Sequence, residues 1–269
     1  MNPIVKNILK KAGSQPLKRL GQNFLADKNT VKRVINAGQI KPDDIVLEIG
    51  PGTGVLTLEL AKKASKVIAV EKDKRMCKIL EETLQGLDNV EILNADIRKM
   101  PETAYQTYKM IANLPFYLTA VLIRKFLGSK NPPEQMVLII QKEVAQRICA
   151  EPPGMNLLAA SVQFYARPEI VSYVSKKSFW PQPEVDAAII RITPQKQPAG
   201  ISPDKFFSLV RAGFSQPRKQ LINNLSKGLK INKDKIKKWL LANKIAPSQR
   251  AETLTVNDWV KLTENLASL

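Results

Sequence analysis

The chain of 269 residues has no histidine and only two cysteines, Cys77 and Cys149. Zinc centres are built from His and Cys ligands, so a zinc-dependent deaminase is excluded and no metal site is expected. Two isolated cysteines also form no disulfide framework. Cys77 falls in a predicted helix and Cys149 beside another, and both read as buried thiols of a reducing compartment. Long apolar runs are missing too: the strand-like Met136–Ile140 is typical, far short of a membrane span. The N-terminus is basic but lacks the apolar stretch of a signal peptide, so a cytoplasmic protein with no membrane partner is expected.

Acidic residues are scarce at both ends. Residues 1–41 hold nine Lys/Arg against one acid, and residues 196–269 hold fourteen against five. The remaining residues, 42–195, carry nineteen bases and eighteen acids, so most of the net charge of +18 sits outside the middle of the chain. Two basic segments flanking a neutral centre predict phosphate-gripping surfaces and a polyanionic partner bound in a salt-dependent way.

The neutral centre opens with Ile45–Ile49, an apolar run that reads as a buried parallel strand, followed by the turn Gly50-Pro51-Gly52-Thr53-Gly54. A helix is expected next, with Leu56, Leu58, Leu60 and Ala61 supplying its apolar residues and Thr53 or Thr57 capping its start. Glycines at such a turn let the backbone approach a ligand. Val55 stands where the dinucleotide fingerprint requires its last glycine, so a pyrophosphate site is poorly matched. A second run, Val67–Val70, ends in Glu71, 21 positions after Gly50. An acid at that strand end accepts the two hydroxyls of a ribose, in NAD enzymes as in other adenosine sites. A third run, Val90–Leu93, leads to Asp96 and Ile97, a carboxylate for an adenine amine and an aliphatic side chain for its ring. The ordered set reads as an adenosine clamp.

A fourth strand, Lys109–Ala112, delivers Asn113-Leu114-Pro115-Phe116. This tetrapeptide resembles the (Asp/Asn)-Pro-Pro-aromatic element of methyltransferases that modify adenine N6, in its rRNA-specific form. The N6 lone pair is delocalised into the ring and is a poor nucleophile. Two acceptors, the Asn113 side-chain oxygen and the Leu114 carbonyl, would hold the amine's N–H groups and favour a pyramidal nitrogen. Pro115 locks φ at that carbonyl. Phe116 offers a face to an extruded base, and Phe179 is assigned to the opposite face of the same base.

Further blocks match over nearly the whole chain: 18–25 (KRLGQNFL), 141–147 (QKEVAQR), 178–186 (SFWPQPEVD), 214–219 (FSQPRK) and 250–254 (RAETL). With them the chain is identified as resembling the KsgA/RsmA family of small-subunit rRNA adenine N6,N6-dimethyltransferases. The last two blocks argue against the related methyltransferases of large-subunit rRNA. The resemblance implies S-adenosylmethionine held by Asn23, Leu25, Gly50, Glu71, Asp96 and Asn113. It implies as substrate two adjacent adenosines near the 3′ end of 16S rRNA within the small ribosomal subunit, each methylated twice by a monomeric enzyme. Phe116 replaces the family's more frequent Tyr, keeping the ring and losing a hydroxyl. The stretch 156–162 lacks the family's usual Arg-Leu-Ser-Val. Two rival readings stand: a methyltransferase of large-subunit rRNA or DNA, and a ribosome-assembly factor whose binding role dominates.

The fold class expected is α/β: a Rossmann-like class I methyltransferase domain with a smaller C-terminal helical domain. Residues 1–41 form a basic segment with helices at Asn2–Lys11 and Lys28–Ala37, Asp27 capping the second, and a turn-like lid at Gly21–Leu25. Residues 42–193 form the core, with later strands at Phe164–Tyr165, Ile170–Val174 and Ala187–Ile192. Residues 194–203 are a linker, and 204–269 a helical rRNA-binding domain with helices at Pro203–Ala212, Lys219–Leu229, Lys233–Asn243 and Val256–Ser268.

Overall fold

The computed structural model describes residues 3–17, 20–101 and 107–269. The chain divides into two compact units. One comprises Met1–Ala145 with Pro168–Pro194, the other Gln146–Arg167 with Gln195–Leu269.

The first unit is built on a seven-stranded sheet. Its strands are β2 (Ile45–Ile49), β3 (Lys66–Glu71), β4 (Val90–Asn94), β5 (Lys109–Asn113), β6 (Gln135–Gln141), β7 (Ala166–Val174) and β9 (Ala187–Pro194), in the order β4-β3-β2-β5-β6-β9-β7. The first five in that order run parallel, and β9 is antiparallel to β6. Val46, Val67, Ile111 and Val137 are fully buried, which explains why these strands read as apolar runs instead of alternating ones. Register aligns the carboxyl ends: Ile49 lies beside Val70 and Ala112, and Glu71 beside Asn94. The chain order reverses at β2, with β3 on one side and β5 on the other. Ligands of open α/β sheets bind at that switch point.

Helices α3 (Val55–Ala61) and α4 (Lys74–Thr83) connect the first strands, α5 (Thr119–Leu127) lies between β5 and β6, α6 (Lys142–Ile148) follows β6, and α2 (Lys28–Gly38) packs against β6 and β5. As expected, Asp27 caps α2, accepting from the Asn29 and Thr30 amides. A hydrogen bond from the Thr30 hydroxyl holds its carboxyl below the usual range. At α3 neither Thr53 nor Thr57 caps. The N-cap is Gly54 at φ +78°, because the turn enters the helix through a left-handed residue that bears no capping side chain. Helix α1 (Pro3–Lys11) inserts Val5 and Leu9 into a cluster with Phe24, Met76 and Ile79. A two-stranded pair, β1 (Phe24–Leu25) and β8 (Phe179–Trp180), sets Leu25 beside Phe179 and Phe24 beside Trp180.

The second unit is helical: α7 (Leu157–Gln163), α8 (Pro203–Gly213), α9 (Leu221–Leu229), α10 (Lys233–Ala242) and α11 (Val256–Glu264). Residues 146–167, placed in the core from sequence, belong here. Ala159, Ala160 and Phe164 bury themselves with Phe206, Leu225 and Trp259, and the Phe164 and Phe206 rings stack at 4.1 Å. Phe164–Tyr165 is therefore not a strand. Phe164 closes α7, and its aromatic bulk serves helix packing. Ile170–Val174 and Ala187–Ile192 do lie in neighbouring strands of the sheet. Among the described residues no helix is long and apolar enough to cross a membrane.

Candidate active site

The carboxyl ends of β2, β3, β4 and β5 converge on one cleft, roofed by residues 20–24. Its lining includes Asn23, Gly50, Glu71, Asp96, Asn113 and Phe179, so the strand ends do meet in space.

The floor is the glycine turn. Gly50 (φ +70°) donates its amide to Val70 O at 3.0 Å, tying the turn to the next strand. Gly52 (φ +58°) sits under the Phe24 ring, and a Cβ there would lie 2.7 Å from it. Only glycine meets both demands, since the left-handed region and the ring each exclude a side chain.

Glu71 is 8% exposed. Its Oε2 accepts from the Gly52 amide (3.3 Å) and its Oε1 from the Asp73 amide (2.8 Å). Burial pushes its carboxyl up, against those two amides. A carboxylate has about four acceptor positions, so two bonds leave capacity for hydroxyl donors. Below the turn, Glu48 is 1% exposed, and burial pushes its carboxyl up to about 8.

Asp96 has a different environment. Arg98 binds it through Nε (3.0 Å) and Nη2 (2.5 Å), and Lys72 Nζ lies 3.1 Å away. The Arg98 guanidinium holds the carboxyl well below the usual range.

At the end of β5, Asn113 Nδ2 donates to Asn23 O at 2.9 Å. With its nitrogen engaged, the side chain presents Oδ1 as a free acceptor among the described residues. The Leu114 amide donates to Ile139 O (3.3 Å), and Pro115 has φ −54°. The Phe116 side chain lies outside the described residues, as do Lys18 and Arg19. Phe179 lines the cleft but is only 6% exposed, packed with Leu25, Val31 and Val34. Leu25 is not brought to the cleft; it lines a smaller cavity beneath, with Glu48 and Thr53.

Three cleft residues were not assigned from sequence. Gln22 donates to Asp73 Oδ2 at 3.0 Å and accepts the Leu17 amide at 2.8 Å, clasping the roof to the start of α4. Tyr117 is 53% exposed, with its ring 3.6 Å from the position of a Cβ on Gly21. Arg98 is the third. Gln22 stood within a matched block; nothing in the sequence marked the other two.

The family profile for ribosomal RNA adenine dimethylase matches residues 13–268. Ribosomal RNA small subunit methyltransferase A of Dehalococcoides mccartyi is 45% identical over 251 residues, covering 91% of this chain and 86% of the relative. The protein of the same name from Geobacillus kaustophilus is 40% identical, covering 98% and 95%. The chain belongs to the ribosomal RNA adenine dimethylase family.

Solved structures agree. A dimethyladenosine transferase from Plasmodium falciparum superposes with a TM-score of 0.79 at 28% identity, covering 91% of this chain and 98% of that one. The 23S rRNA methyltransferase ErmE gives 0.76 at 26%, covering 91% and 100%. The fold is that of class I methyltransferases. ErmE is named for 23S rRNA, so the shared fold alone does not choose the RNA. The two relatives, at 45% and 40% identity, are both named for the small subunit.

Proposed function

We propose that the protein transfers methyl groups from S-adenosylmethionine to the N6 amines of two adjacent adenosines near the 3′ end of 16S rRNA in the small subunit, acting as a cytoplasmic monomer. The observation that carries this reading is the Asn113 amide. One Nδ2 hydrogen is bonded to Asn23 O and fixes the amide, and among the described residues Oδ1 is left as an acceptor in the cleft that Leu114 also lines.

The cleft's chemistry fits the cofactor. Gly52 clears space that a Cβ would fill, Glu71 keeps acceptor capacity for ribose hydroxyls, and Asp96 with Ile97 stands at the next strand end for the adenine. Asn23, Gly50 and Asn113 complete the set, with Leu25 backing the wall. As closed, the cleft encloses about 90 Å³, below the roughly 300–1,000 Å³ of small-molecule sites. Room on binding is therefore to come from residues 20–22, clasped chiefly through Gln22, while Asn23 stays bonded to Asn113 and Phe24 to the β1–β8 pair. When bound, S-adenosylmethionine supplies an electrophilic methyl group on a sulfonium sulfur.

The chain's own residues then act by position. Asn113 Oδ1 and Leu114 O accept the two N–H groups of the target amine and turn its lone pair out of the ring plane. Pro115 fixes the backbone that carries the second acceptor. Phe116 and Phe179 are assigned to the faces of the extruded base. Catalysis on this scheme is orientation and electrostatics. The methylated amine is acidic enough to release its proton to water, which suits a chain without histidine.

The test is transfer of labelled methyl groups to unmethylated small subunits, with large subunits and DNA in parallel and nucleoside mass spectrometry as readout. Dimethyladenosine is expected in small-subunit RNA only. Asn113→Ala should lower transfer by about 10²–10³-fold, the scale of losing one positioned transition-state contact. Cofactor affinity should fall by no more than about tenfold, the scale of one hydrogen bond to the roof. Full activity in that variant would refute the amine-binding role.

A further inference from the structure

A second cavity, of about 790 Å³, lies within the first unit between α1, the turn at 13–16 and the segment 180–185. It shares Gly21, Gln22, Asn23 and Pro183 with the cleft described above, so the two spaces adjoin. Its walls differ from those of the cleft. Lys6 and Lys10, one turn apart on α1 and both exposed, line one side, while Trp180, Pro181 and Pro183 line another. Val5 and Leu9 anchor α1 in the core, so the two lysines are not needed to hold the helix. The Ser14 hydroxyl is shielded from solvent at the same place without a partner among the described residues. Glu184 is the only acid on this wall among the described residues.

Cations on one side and an aromatic ring with prolines on the other are what single-stranded nucleic acid needs: backbone neutralisation beside a stacking surface. A strand that delivers an adenine into the cleft must also place the next nucleotide close by. We infer that this groove seats the nucleotide flanking the target adenosine, its phosphate on Lys6 and Lys10 and its base against Trp180. The inference rests on the RNA-methylating reading and adds a substrate-positioning role for α1 and Trp180. In a substrate with two adjacent targets, the occupant is the partner adenosine while the first is being modified.

The experiment measures binding of a fluorescent, adenosine-containing single-stranded oligoribonucleotide to the full chain across a salt series, beside S-adenosylmethionine affinity and methyl transfer to small subunits. For Lys6→Gln/Lys10→Gln, the slope of log affinity against log salt should shrink by about 1.4, the value for two lost contacts on a single strand. Trp180→Leu should weaken oligonucleotide binding about tenfold with the salt slope unchanged, as loss of a stacking partner does. Because Trp180 also packs against the α1 cluster, Trp180→Phe serves as its folding control and should retain most of the affinity. Cofactor affinity should stay within twofold for the lysine variant, and its KM for subunits should rise with kcat preserved. An unchanged oligonucleotide slope would overturn the assignment, as would cofactor loss equal to the RNA loss. So would weakened capture of small subunits with normal oligonucleotide binding, which would mark a protein neighbour in the groove. If the wild type methylates no small subunit yet the lysine variant still loses its salt slope, the subunit reading fails and the groove stands.

Discussion

The inner and outer walls of the cleft use the same residue type in opposite ways. Glu71, inside, is buried and fixed by two backbone amides, and its carboxyl is pushed up. Asp96, one strand outward, is gripped by Arg98 and Lys72 at the surface, and its carboxyl is held down. The inner acid is positioned by backbone that cannot relax without unmaking the sheet edge. The outer acid is positioned by flexible cations that water and salt compete with. The inner wall should therefore carry most of the binding geometry, and the outer wall should tune it.

The strongest way to break the comparison is at Gly52. Gly52→Ala puts a Cβ at 2.7 Å from the Phe24 ring and demands φ +58° of an alanine. Phe24 cannot simply move away, because it belongs to the β1–β8 pair and to the α1 cluster. Strain and overpacking of this kind cost about 1–3 kcal/mol, and here the cost falls on the surface that a cofactor must approach. Isothermal titration should show cofactor affinity lowered about 100-fold, the equivalent of roughly 2.7 kcal/mol. Gly86→Ala supplies the contrast: φ is +84° but nothing lies within 4 Å, so it should lose some stability and no affinity.

A second test lies under the inner wall, at Glu48. Its folded value of about 8 stands above the ordinary 4.5, mainly through burial. The folded state thus holds a proton that the unfolded chain gives up. This contribution to stability is fully present below about pH 4.5 and is lost as pH rises through the folded value. Wild-type stability should fall between about pH 5 and 8. Glu48→Gln removes the titration, so urea unfolding should show the variant gaining on the wild type by up to about 1.4 kcal/mol per pH unit across that window. A constant gap between the two proteins would mean that Glu48 titrates normally. The paired acids Asp27, Asp73 and Asp96, whose carboxyls are held down, act at lower pH, and Glu71, also pushed up, is present in both proteins and drops out of their difference.

The inner wall was also the legible one. Buried parallel strands appear as unbroken apolar runs, so order and spacing put Gly50 and Glu71 at strand ends that register carries to one edge, while Asn113 also needs the resemblance of its tetrapeptide to be singled out. What escaped depends on contacts distant in sequence or on local turn geometry. The pairing of Arg98 with Asp96 needs the bend after β4. The clasp of Gln22 on Asp73 spans 51 residues. Phe164–Tyr165 suggested a strand because aromatic residues suit pleated surfaces, yet strand preference is largely packing context, and here the context is the second unit's helices. The same distant packing moved residues 146–167 out of the core.

The smallest effect should come from the outer wall. Asp96→Asn keeps an acceptor oxygen for an adenine amine but gives up the attraction of Arg98 and Lys72. The Arg98 side chain is 40% exposed and that of Lys72 48%, so solvent already screens much of that attraction. Once released, the two cations are free to rehydrate, and no buried charge is stranded. Cofactor affinity should drop only about fivefold, and the deficit should shrink as salt rises, because screening weakens the wild-type pairs too. The Gly52→Ala deficit, being steric, should not change with salt. Equal salt sensitivity in the two variants would show that both walls position their ligand electrostatically, and the division drawn between them would fall.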